Sequence, residues 1–248
     1  PGHIHEVLAG NYFRPQTESV PEQTWSSAGL LDAALRGLFG IEVRAAQNTL
    51  LLHPHMPAEW DEISVENIRL PHATLAFTLR HDPGNVDLEL RNAGEPAEVE
   101  FSPEIPLGAE VVEAQCGGAK VTAGVTSNAQ DTHAQLKFTA ARGESHCRLR
   151  LAGGVSIVLP APAAQIGDAS TGIKLTRLRL HGRELALDAD VHARGVNHFR
   201  LQTPWKIKSV SGASFKAVPN AVYEVQLPRS RQSDGYASAH VDIAFENP

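Results

Sequence analysis

The 248-residue sequence predicts a mainly β protein: antiparallel sheets packed as a sandwich, behind a loop and a single helix. Three observations support this. Beyond Asn48, apolar residues recur at every second position in one run after another. Gly, Pro, Asn and Asp separate those runs at short intervals, as turns between strands do. Only one stretch, at about residues 25–39, spaces its apolar residues by three and four.

Residues 1–24 show no periodicity and contain Gly2, Gly10, Pro15 and Pro21, so they read as an ordered loop, a length that usually signals function. In the helix that follows, Ala28, Leu31, Leu35 and Leu38 form the apolar stripe, widened by Leu30 and Ala34. Thr24 or Ser26 is placed to cap its start, and Gly40 stands where a left-handed residue ends a helix. Its charged residues are Asp32 and Arg36 alone, so this face calls for other helices to cover it.

The strands come next. Leu75, Phe77 and Leu79 alternate with polar or small neighbours, Asp82-Pro83-Gly84-Asn85 suits a type II turn, and Val86, Leu88 and Leu90 resume the alternation. The pattern returns at Leu136/Phe138, Leu149/Leu151, Leu185/Leu187/Val191, Tyr223/Val225/Leu227 and Val241/Ile243/Phe245. Residues 160–172, with Pro160, Pro162 and Gly167, mark either a boundary between two β units or a long crossover within one sandwich. The expected organisation is a loop and helix over 1–47, a β-sandwich over 48–160 and a second β unit over 161–248, which is either separate or part of the same sandwich.

Composition narrows the function. Hydrophobic content of 42% and charged content of 20% suit a folded globular chain. A net charge of −6, without a Lys/Arg cluster, argues against nucleic acid as a partner, and no apolar run approaches the roughly 18 residues of a membrane helix. Pro1 is preceded by neither an initiator Met nor a signal-peptide pattern, so we expect a fragment or a processed chain. Cys116 and Cys147 fit either a disulfide or two buried thiols; buried thiols are the expectation, and the compartment stays open.

Chemistry concentrates in Ser19-Val20-Pro21-Glu22-Gln23-Thr24-Trp25-Ser26-Ser27. A carboxylate at the entrance to a helix is kept ionised by the backbone N–H groups and the positive end of the helix dipole. An indole nearby offers a flat face for a sugar ring. Together these are the requirements for activating water at a glycosidic bond.

That segment, continued through Ala28-Gly29 and joined by Leu35-Arg36-Gly37-Leu38-Phe39-Gly40-Ile41, Leu50-Leu51-Leu52-His53-Pro54-His55-Met56-Pro57 and Trp60-Asp61-Glu62-Ile63-Ser64-Val65-Glu66-Asn67-Ile68, resembles the end of the catalytic domain in six-hairpin (α/α toroid) glycoside hydrolases. The similarity is to bacterial glycogen-debranching (amylo-α-1,6-glucosidase-like), glucoamylase-like and trehalase-like enzymes, and it covers about a quarter of the chain. It implies that residues 1–47 complete a helical barrel begun elsewhere in the same protein. It also implies an inverting hydrolase of α-glucosidic or related oligosaccharides, with Glu22 as general base and Gln23 and Trp25 as substrate-binding residues. The general acid would come from the missing barrel, so the chain alone should be inactive. No cofactor is implied.

Other candidates have plainer explanations. Glu18, four residues earlier, takes the role of Glu22 if the alignment slips, and Glu6 either lines the sugar pocket or, as expected, is a solvated loop acid. His3/His5 and His53/His55 have the i, i+2 spacing that places two rings on one side of an extended segment. His3, His5 and Glu6 together could supply three ligands, but twelve histidines are scattered along the chain and no third ligand flanks the second pair, so no metal site is expected, and His53-Pro54-His55 reads as the barrel-to-sandwich junction. Trp60 is expected to be a packing anchor and Trp205 to be exposed. The alternative to the hydrolase is a non-catalytic β-sandwich module, either carbohydrate-binding or purely structural.

Overall fold

The computed structural model describes all residues except 1–3, 11, 21–22, 58, 83, 129–130, 162, 230–234 and 247–248, and describes only the backbone of Asn128. The chain is mainly β with antiparallel sheets, as its alternation predicts. Its contacts divide it into two units, one of Leu35–Ser156 with Gln202–Trp205, the other of Pro1–Ala34, Ile157–Leu201 and Lys206–Pro248.

The unit over Leu35–Ser156 holds β1 (Ile41–Arg44), β2 (Thr49–Leu52), β3 (Glu62–Arg69), β4 (Thr74–Asp82), β5 (Asn85–Asn92), β6 (Ala97–Phe101), β7 (Leu107–Cys116), β8 (Ala119–Lys120), β9 (Gly124–Asn128), β10 (Asp131–Ala140) and most of β11 (Gly143–Val158). One sheet runs in the order β1-β2-β6-β10-β9. In the other, β3, β4, β5 and β11 are successive neighbours, β7 pairs with β11, and β8 with β7.

The alternating residues turn inward as expected. Leu75, Phe77, Leu79, Leu88, Leu90 and Leu149 from one sheet share a core with Leu50, Leu52, Val99, Phe101, Leu136 and Phe138 from the other. Each such side chain contributes about 1.5–3 kcal/mol by leaving water, which makes the two faces a sandwich. Asn92 is buried among them, and its Nδ2 donates to the carbonyls of Glu95 (2.8 Å) and Ala140 (3.0 Å), linking β5 to the end of β10.

Outward positions carry ion pairs across strands, such as Arg80 with Glu62 (2.6 Å) and Glu89 (2.9 Å), and Lys137 with Glu100 (2.6 Å). The β4–β5 turn is closed by the Asp82 carboxylate, which accepts from the Gly84 N–H at 2.7 Å. The β3–β4 register slips between Val65 and Ile68, where Asn67 adopts a left-handed φ of 61°.

Two features depart from the sequence expectation. β2 and β6 pair in parallel, because the chain leaves the first sheet after β2, builds β3–β5 in the second, and returns running in the same direction. Cys116 and Cys147, expected as thiols, are joined as a disulfide. The β7–β11 register makes them direct partners, and both are buried, so the pairing depends on a strand neighbourhood that spacing along the chain does not reveal.

The helical segment has the predicted extent but not uniform winding. α1 (Thr24–Asp32) passes into a π-helical stretch over Ala33–Leu38. Gln23, rather than Thr24 or Ser26, occupies the N-cap, and no side chain caps it. Gly40 has the predicted left-handed φ of 62°, and a Cβ there would lie 1.9 Å from the His53 carbonyl oxygen. The backbones approach closely because the His53 N–H donates to the Gly40 carbonyl at 2.8 Å.

In the other unit, β12 (Lys174–His181), β13 (Glu184–His192), β15 (Ile207–Ser211) and β18 (Tyr236–Phe245) form a sheet in the order β12-β13-β18-β15. Leu185, Leu187, Val191, Val241, Ile243 and Phe245 line its buried face. β16 (Ser214–Val218), β17 (Val222–Gln226) and β14 (His198–Gln202) lie side by side in that order. The N-terminal loop pairs with the segment before β12: the Phe13 N–H donates to Asp168 O (2.8 Å) and the Gly167 N–H to Phe13 O (3.0 Å).

Two outcomes follow. Replacing Cys116 and Cys147 by Ser, or reducing them, removes a cross-link over a separation of 31 residues and should lower the unfolding free energy by about 3–4 kcal/mol in denaturant titrations. His240 donates to Asp188, with Asp242 at 3.2 Å, and these carboxylates raise its pKa above the ordinary value. Its stabilising contribution is therefore full below the unfolded-state pKa of about 6.5 and disappears as pH rises through the folded one. NMR titration should place His240 above 6.5, and Asp188→Asn should move it back down.

Candidate functional site

The segment with the strongest motif has a local architecture of its own. The loop folds back on itself: the Glu6 N–H donates to Val20 O (3.1 Å), the Val7 N–H to Ser19 Oγ (3.0 Å) and the Ala9 N–H to Arg14 O (2.9 Å). Gln23 then meets Ile4, its N–H donating to the Ile4 carbonyl at 3.3 Å, and its own carbonyl accepts from the Ser27 N–H at 3.1 Å. Gln23 and Trp25 thus sit together at the opening of α1. Glu22 and His3 lie outside the described residues. Glu6 and Glu18 are exposed.

Trp25 is 67% exposed, Leu30 56%, Leu31 60% and Leu35 44%, and no residue of α1 or of the π-helical stretch is buried. The stripe found by periodicity is therefore mostly open among the described residues. Among the described residues, no helix is long and apolar enough to cross a membrane.

A second group of chemistry-bearing residues gathers in the Leu35–Ser156 unit. His55 follows β2, its N–H donating to Leu38 O at 3.0 Å and its Nδ1 lying 3.1 Å from Gly37 O. Asp131 and His133 stand two apart on β10, where the intervening Thr132 and the next residue Ala134 are buried, which sends Asp131 and His133 outward together. The His133 Nδ1 lies 2.6 Å from Ser102 O.

The two Nε2 atoms are 3.2 Å apart. Asp131 Oδ2 is 3.4 Å from the Nε2 of His55, and Oδ1 is 2.9 Å from that of His133. The shorter approach lacks hydrogen-bond geometry, so Oδ1 is a buried atom without a hydrogen bond among the described residues. Glu104, opposite His133 in an isolated β-bridge, keeps an open outer surface. Atoms crowded around its carboxyl, and then the Asp131 carboxylate, nevertheless push its pKa up. His53 is held below its ordinary value by burial first and by His133 second.

Of the two His pairs, the one after β2 acquires partners that local spacing does not show. The available signal was Asp131-Thr132-His133, which has the same i, i+2 spacing on a strand, but joining it to His55 requires knowing that the end of β2 lies near the start of β10. The tryptophans exchange their expected roles. Trp60 is 43% exposed, whereas Trp205 is half-buried over Gly153 of β11, where an added Cβ would lie 3.0 Å from the indole.

No protein-family model matches the chain, and no curated protein matches it either.

Because Trp25 buries so little here, Trp25→Ala should change the stability of this chain by no more than about 0.5 kcal/mol. A loss above about 2 kcal/mol in thermal or denaturant unfolding would show that the indole is a core residue.

Proposed function

We propose that the chain is the C-terminal part of an inverting glycoside hydrolase acting on α-glucosidic or related oligosaccharides, with Glu22 as general base. The observation that supports this most is the uncovered helix. A stretch carrying Trp25, Leu30, Leu31 and Leu35 on open surface leaves unused a large part of the roughly 1.5–3 kcal/mol that burial of each side chain offers. Helices of a larger barrel would cover it. The resemblance of the flanking motifs to six-hairpin enzymes supplies the kind of barrel.

In that setting the loop from Val20 to Trp25 faces the sugar. Glu22 takes a proton from a water molecule as that water attacks the anomeric carbon. An acid from the rest of the barrel protonates the departing glycosidic oxygen, and the two carboxyl groups stand about 6.5–9.5 Å apart to admit the water. Trp25 stacks on the ring and Gln23 binds hydroxyls. The β region serves as the scaffold packed on the barrel.

The coding sequence upstream should encode the remaining helical hairpins and an acid-bearing loop. In the protein containing them, Glu22→Gln should lower kcat by about 10²–10⁴-fold while sugar binding is largely kept. Undiminished hydrolysis, or an upstream frame without helical hairpins, would contradict the proposal. Tight glucan binding by residues 48–248 alone would favour a binding module instead.

A further inference from the structure

The cluster of His55, Asp131 and His133 has no part in the hydrolase proposal, and its proton inventory raises a separate question. A backbone carbonyl only accepts hydrogen bonds, so the contacts of His55 Nδ1 with Gly37 O and His133 Nδ1 with Ser102 O place an N–H on each Nδ1. In the neutral rings, both Nε2 lone pairs then point inward, 3.2 Å from each other. The third inward group is a carboxylate, whose Oδ1 is buried and lacks a hydrogen bond among the described residues. Three acceptors converge without a donor between them, an arrangement that requires a positive charge at its centre.

The spacing indicates which charge fits. Around a tetrahedral zinc ion with bonds of about 2.0–2.1 Å, neighbouring ligand atoms are separated by roughly 3.3 Å. The two Nε2 atoms are 3.2 Å apart, and the Asp131 carboxylate spans both rings with different oxygens, Oδ1 at 2.9 Å from the His133 Nε2 and Oδ2 at 3.4 Å from the His55 Nε2; taken one ligand atom per residue, the three lie within 4.8 Å of one another. Metal-bound histidines characteristically donate their remaining ring N–H to a backbone carbonyl or carboxylate, which fixes the tautomer and aims the ring. Both rings have such a carbonyl already in place. Two imidazoles and one carboxylate suit a transition-metal ion better than Ca²⁺ or Mg²⁺, which prefer all-oxygen shells.

We propose that His55 Nε2, His133 Nε2 and the Asp131 carboxylate form a binding site for a zinc-class divalent metal ion, with a fourth position open to solvent. Two ligands come from one face of β10 and one from the segment after β2. The ion therefore ties the strand to the turn that receives the end of the helical stretch through Gly37 and Leu38. It acts as a clamp on that junction, and its open position can hold a water molecule or an external ligand.

The competing explanation is a proton in place of the metal, with one ring as an imidazolium paired to Asp131. The full chain, stripped with EDTA and titrated with Zn²⁺ by calorimetry, should bind one equivalent. Asp131→Asn and His55→Gln should each weaken that binding by about tenfold to hundredfold or more, with circular dichroism showing the fold intact. His240→Gln, which alters a different histidine set between carboxylates, should leave binding unchanged. In the unsubstituted chain, Zn²⁺ should shift the ring resonances of His55 and His133 in NMR spectra. Absence of stoichiometric binding, equal affinity in the two cluster variants, or zinc-induced shifts confined to other histidines would each overturn the site.

Discussion

The closure of two apolar sheet faces over residues 35–156 is the constraint from which most of the described structure follows. Because side chains alternate across a strand, burying Leu75, Phe77 and Leu79 on β4, or Thr132, Ala134 and Leu136 on β10, also decides what must point outward. The cross-strand ion pairs of Arg80 and Lys137 result from this alternation. So does the outward placement of Asp131 and His133, held in position by buried neighbours on both sides of His133. A slip of one residue in β10 would exchange the two sets and dismantle the histidine cluster together with the core.

The N-terminal helix obeys a different rule. Its apolar residues recur at spacings of three and four, yet Trp25, Leu30, Leu31 and Leu35 remain largely open, and α1 begins without a side-chain cap. Propensity and hydrogen bonds alone leave a helix of this length marginal in water, so packing has to supply the remainder. The proposal that it completes a helical barrel, and that the loop before it carries a general base, rests on that physical shortfall together with the motif resemblance.

Sequence legibility followed the range of the interactions. Alternation is local, so the strands containing Leu75–Leu79, Val86–Leu90 and Val241–Phe245 could be read directly, as could the helix and the left-handed Gly40. The disulfide, the parallel β2–β6 pair and the His55–Asp131–His133 cluster each depend on which strands become neighbours, and a single sequence does not encode that visibly. The reversal of Trp60 and Trp205 has the same origin: Trp205 finds its surface at Gly153, far away in the chain. Glu22 entered through resemblance and its position before a helix.

Backbone hydrogen exchange on this chain by itself tests most directly whether the helix lacks cover. Amides of residues 24–38 should exchange within the fastest class, while those of β4, β5, β10 and β11 should be protected to near the global unfolding limit. Protection of the helix equal to that of the core strands would mean that it is fully stabilised within this chain, and the case for a missing helical partner would fail.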